Sequence, residues 1–169
     1  MLTSFSHAIL FLGVVMHAAA NSVNFVNQDG TTRTIIFTSQ SGQQQLNSIK
    51  VAGNSAIQQE FPQGWIGNWY SVSEGSPNVP GMLGEVRFDG FGGATYFDVS
   101  AIVNPTDNSG VKQLFPAHDN KPVSGCQNFP CANAYNKADD LQTASTPFKD
   151  LICLLGNSMN QRRRGFFGG

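Results

Sequence analysis

From residue 21 onward no segment of the chain keeps a helical period over three turns, and the apolar residues fall instead into short alternating runs broken by Gly, Asn and Pro. A strand presents alternate side chains to opposite faces, so runs of this kind must bury their apolar face against a second sheet. The spacing predicts an all-β domain, a sandwich of two antiparallel sheets. A chain of 169 residues has room for one such domain with terminal additions.

The runs can be placed in order. "VNFVN" and "TRTIIFT" flank "QDGT", where Asp29-Gly30 suits a type I′ turn, and the two are predicted to pair as a hairpin. "LNSIKV" and "SAIQQEF" follow, separated by "AGN"; in the second, Ile57 and Phe61 share one face and Gln58 and Glu60 the other. "GNWYSVS" is a further strand, while the two prolines of "EGSPNVPG" exclude a ladder interior. "VKQLFPA" reads as an edge strand, "HDNKPVSGCQNFPCANAYNKADD" as a long irregular region, and "DLICLL" as the last strand, returning to the core.

Both ends differ from this middle. The apolar, uncharged run "FSHAILFLGVVMH" leads into Ala18, Ala19 and Ala20, which predicts a signal peptide over residues 1–20 and a mature start near Asn21. Residues 21–157 then form the sandwich domain. Residues 158–169 form a basic, glycine-rich tail predicted to be disordered, in which Arg162, Arg163 and Arg164 also make a dibasic processing site. The N-terminal run is too short for a membrane span. With 10 Lys and Arg against 11 Asp and Glu, no charge excess draws the chain to nucleic acid or an anionic membrane.

Export would remove His7 and His17 and leave His118, which reads as a loop residue. A zinc cluster, a histidine-pair nuclease and most serine or cysteine nucleophile systems are thereby excluded, and no metal or other cofactor is expected. An oxidising compartment favours disulfides. A local Cys126–Cys131 bridge across "QNFP" would leave Cys153 free in "LICLLG"; pairing of Cys153 with either of the other two is the alternative.

The stretch "GEVRFDGFGGATYFDVSAIV", residues 84 to 103, carries the acids of interest: Glu85, Asp89 and Asp98, with Arg87. Two hairpin registers fit it. With the turn centred on Phe91-Gly92, Glu85 lies across from Asp98 and Arg87 across from Tyr96, with Val86 and Phe97 facing the core. Two carboxylates so placed would stand at about the 5 Å spacing of a retaining glycosidase pair. With the centre at Gly92-Gly93, Arg87 opposes Asp98 in a surface ion pair that needs no chemistry. Between these extremes, Glu85, Arg87, Tyr96 and Asp98 make a polar floor suited to sugar hydroxyls. Trp65 and Trp69 are candidate stacking platforms if exposed and core if buried, with at least one expected in the core.

Three segments, in order, resemble thaumatin-like proteins: "FPQGWIGNWY", "GEVRFDGFGGATYFDVS", and "CANAYNKADD" followed by "LICLLGN". The likeness covers most of residues 24 to 157. With three cysteines and a shorter chain, the disulfide-rich accessory region of plant members is reduced or absent, leaving a trimmed sandwich core. The chain is also similar to small fungal secreted proteins sometimes labelled DNase-type, a label without chemical support in these residues. The resemblance implies a sandwich with an acidic cleft that binds β-1,3-glucans or other wall polysaccharides, with weak glucanase activity in some members. Glu85 and Asp98 match the family's cleft acids. The cleft arginine falls near Ser71 or Val72, and two further acids fall at Asn104 and Asn133, so the catalytic set is incomplete.

The expectation is therefore a secreted monomer that binds a wall polysaccharide through Glu85, Arg87, Tyr96, Asp98 and the tryptophans. Two alternatives stand beside it: a β-1,3-glucan hydrolase using Glu85 and Asp98 as its acid and its base or nucleophile, and a secreted effector that uses the sandwich as an interaction platform. A nuclease is disfavoured.

Overall fold

The computed structural model describes residues 20–107 and 109–158. Residues 1–19 of the predicted signal peptide, with His7 and His17, and residues 159–169 of the tail, with its three arginines, lie outside the described residues. The rest is an all-β sandwich of eleven strands among the described residues. The strands are β1 Asn21–Asn27, β2 Arg33–Ser39, β3 Ile49–Val51, β4 Ala56–Phe61, β5 Ile66–Ser73, β6 Leu83–Arg87, β7 Thr95–Ser100, β8 Val111–Pro116, β9 Ser124–Gly125, β10 Ala144–Thr146 and β11 Asp150–Leu155. One sheet runs β4-β1-β11-β8-β9 and the other β10-β7-β6-β5-β2-β3. All pairings are antiparallel except β1 with β11. Among the described residues no helix is long and apolar enough to cross a membrane.

The predicted first hairpin does not form. β1 and β2 lie in opposite sheets, because Asp29 is drawn inward to Arg33 instead of sitting at an exposed turn tip. Both carboxylate oxygens of Asp29 take the Arg33 guanidinium, at 2.8 and 2.9 Å, while the amides of Thr31 and Asn157 donate to the same group. Arg33 Nε donates in turn to the Ser109 carbonyl. The second predicted turn is likewise a crossing between sheets, from β3 to β4, and the two crossings brace each other. Asn54 N–H donates to the Asp29 carbonyl at 2.8 Å, and Asn27 Nδ2 to the Ala52 carbonyl at 2.9 Å. Gly53 is required there, since any side chain would collide with the backbone of Gly30.

β4 is an outer strand, which leaves Ile57 partly exposed while Phe61 turns into the core. β8, expected at an edge, is instead second from it, flanked by β11 and the two-residue β9. β11 is the centre of its sheet, and its Leu151, Cys153 and Leu155 lie in the core, to which "DLICLL" was expected to return.

Between the sheets, Phe25, Phe37, Phe61, Phe88, Trp65 and Trp69 form a continuous ring cluster, with edge-on contacts such as Phe25 to Trp69 at 5.4 Å between centroids. Each such pair adds about 0.5–1.5 kcal/mol beyond its buried area. The cluster stiffens the inner face of β5, on whose outer face the candidate site lies.

Candidate functional site

β5, β6 and β7 are neighbours, and their register decides which side chains meet on the outer face. Asn68 pairs with Glu85, Glu85 with Asp98, and Arg87 with Tyr96, so the turn centred on Phe91-Gly92 is the register adopted. Gly92 takes a φ of 68°, a left-handed conformation that glycine adopts without penalty. Thr38 on β2 extends the first row beyond Asn68, and Thr143 closes it, its hydroxyl 3.4 Å from Asp98 Oδ2. These rows line a groove of about 500 Å³ that also takes in Gln40, Ile66 and Gly67.

Within the groove Asp98 is 8 % exposed, and its Oδ1 has no conventional hydrogen-bond donor among the described residues. Burial, and then the charge of Glu85 beside it, raise its carboxyl to about 7. Glu85 lies directly across from Asp98 on the neighbouring strand, so burial and a like-charged neighbour act together against ionisation of Asp98. Low-dielectric surroundings favour a protonated Asp98 over two adjacent charges.

Arg87 is exposed at the groove, and Tyr96 forms its wall with its hydroxyl donating to the Phe91 carbonyl at 3.4 Å. Thus the four polar residues singled out from the hairpin do come together. The tryptophans do not join them. Trp65 and Trp69 are both 0 % exposed, and the reading that gave them a ligand is corrected here. Trp69 fits beneath the sheet because Gly84 opposite it has no side chain; a Cβ there would come within 2.6 Å of the indole. The Trp65 indole N–H is spent on Ser39 Oγ and the Gln44 carbonyl, at 3.1 and 3.0 Å.

Asp89 also stands apart from the groove. With a φ of 49° at the base of the hairpin turn, it accepts from Asn21 Nδ2 at 2.8 Å, from the Gly64 amide at 2.9 Å and from Lys149. The Lys149 ammonium, ahead of the other bonds, holds its carboxyl down to about 2. It pins three loops together. Asn133, where the resemblance places an acid, donates to the carbonyls of Val123 and Gly125, at 2.8 and 3.1 Å. Ser71 and Asn104 line a separate pocket of about 110 Å³. Cys126 and Cys131 are bridged, while Cys153 is buried among core residues that push its thiol up to about 12. His118 is an exposed loop residue 3.1 Å from Asp150. Among the described residues no three His, Cys, Asp or Glu side chains gather closely enough to hold a metal ion.

Sequence reading missed Asn68, Gln40, Thr38 and Thr143. The first was discoverable, since it falls two residues after Ile66 on the same face of "IGNWY"; Thr143 was not, because β10 and the segment before it carry no strand pattern.

No protein-family model matches the chain. An antigenic protein, SchS21, of Stachybotrys chartarum is 50 % identical over 135 residues, which span 80 % of this chain and 94 % of that protein. The crystal structure of the protein elicitor MoHrip2 from Magnaporthe oryzae superposes with a TM-score of 0.56 at 17 % identity, covering 80 % of this chain and 98 % of that one. The second comparison extends the sandwich fold alone.

Proposed function

The chain belongs to the family of the antigenic protein SchS21 of Stachybotrys chartarum, and from that premise we propose that it is an exported fungal recognition protein, an effector that acts by binding and not by catalysis. The observation that carries this reading is the Glu85–Asp98 pair, two acids set directly across from each other on adjacent strands at the floor of a groove. The positions that would complete a catalytic set are spent elsewhere. What remains is a surface dense in hydrogen-bonding groups, held rigid from below by an aromatic core.

Export is supported by the apolar run ending in Ala18-Ala19-Ala20 and by the Cys126–Cys131 bridge. MoHrip2 is a protein elicitor, and the same sandwich in this chain agrees with a role outside the cell. The ligand we assign is a wall polysaccharide of the β-glucan type, in keeping with the thaumatin-like resemblance and with a groove that sets Arg87 near the Glu85–Asp98 pair. Retention of the purified protein on insoluble β-glucan or chitin, at several salt concentrations, tests this directly. Retention that persists at high salt and weakens with Glu85→Gln is the expected result. Absence of retention on every polysaccharide would remove the glycan assignment.

A further inference from the structure

Two concavities lie near the β7 end of the six-stranded sheet; Tyr96 lines the first, and its strand partner Ser145 lines the second. The first is the acid groove. The second, of about 340 Å³, is lined by Gly92, Gly93, Ala94, Ser145, Thr146 and Pro147 at the far end of the β6–β7 hairpin. Ser145 pairs with Tyr96 in register, just as Thr143 reaches Asp98 one row earlier, so residues of β10 and the segment before it line both depressions beside β7. Tyr96 lies flat enough that a Cβ on Gly90 would come within 2.7 Å of its ring, which keeps the passage low. At the hairpin tip stands Phe91, 89 % exposed, with its carbonyl tied to the Tyr96 hydroxyl.

We infer that the binding surface does not end at the acid groove but continues over Tyr96, past Phe91, into this second depression, as an extended track for a linear, neutral polymer of pyranose sugars. The inference rests on the recognition reading above and adds the length and the aromatic contact. From Asp98 to Ala94 the strand rises about 14 Å, at about 3.4 Å per residue, which exceeds a single sugar ring. Hydroxyls meet Asn68, Glu85, Asp98 and Ser145, and the apolar C–H face of a ring meets Phe91. A bare phenylalanine ring at a turn tip gains nothing for the fold; against a sugar face it sheds the water it now orders. Arg87 shares the groove with the Glu85–Asp98 pair, so a strongly anionic or cationic chain gains no net attraction.

Affinity for soluble β-glucan oligosaccharides of increasing length, measured by calorimetry on the purified protein, tests the track. A hexasaccharide is expected to bind about tenfold more tightly than a disaccharide. Phe91→Ala and Ser145→Arg should each remove about fivefold of the hexasaccharide affinity while leaving the disaccharide unchanged. Both positions are exposed, so their variants fold, and unchanged thermal unfolding checks that. Equal affinity at every length, or hexasaccharide binding indifferent to both substitutions, would end the extension and leave the groove reading standing. No binding at any length would overturn both.

Discussion

Two buried aspartates in this molecule have opposite fates. Asp29, at the crossing between sheets, and Asp98, on the groove floor, are 2 % and 8 % exposed. Burial raises the carboxyl of each. At Asp29 the Arg33 guanidinium and the amides of Thr31 and Asn157 outweigh it, and the group is held below the usual carboxylate range. At Asp98 the neighbour is another acid, and the group rises. Depth is therefore a poor guide to function in this protein; the partner decides. A carboxylate with all its lone pairs answered is part of the frame, and one left facing like charge is available to a ligand.

The largest expected effect tests the frame. Arg33→Ala leaves the Asp29 charge buried without its partner, and should destabilise the fold by about 3–5 kcal/mol in chemical denaturation. A loss below about 1 kcal/mol would place the pair among ordinary surface contacts. The next tests the groove. Folded, Asp98 keeps its proton up to about pH 7, whereas in the unfolded chain it releases it near pH 4, at about the ordinary aspartate value. The native state thus holds the extra proton across that window, and stability falls as pH rises from about 4 to 7, by up to a few kcal/mol, then levels. Asp98→Asn should flatten that slope, read as urea midpoints at several pH values; an unaltered slope would assign it to another group. The smallest concerns Asp89, whose lowered carboxyl stabilises the fold above about pH 4 and ceases to do so as pH falls through about 2. Lys149 is partly exposed, so Lys149→Ala should cost under about 1 kcal/mol at neutral pH and less still at pH 2.

The same contrast explains what could be read in advance. Alternation in "GEVRF" and "TYFDVS" places Glu85, Arg87, Tyr96 and Asp98 on one face whichever register holds, so the groove residues were legible as a set. Which of them touch was not, because two turn centres satisfy the same pattern. Asp29-Gly30 misled for a related reason: a turn dipeptide signals a reversal of direction, and crossing between sheets reverses direction as well as a hairpin does. Nor could Trp65 and Trp69 be assigned from their spacing, which is shared by core and platform aromatics alike.

By itself, then, the order of residues determined the class of fold and the faces of the central hairpin, since each depends on neighbours within a few positions. The tertiary structure alone decided the sheet that each early strand joins, the burial of both tryptophans, the pairing of Glu85 with Asp98 in a shared groove and the capture of Asp29 by Arg33. Those outcomes turn on contacts between distant segments, where packing and desolvation select among arrangements that local pattern leaves equal.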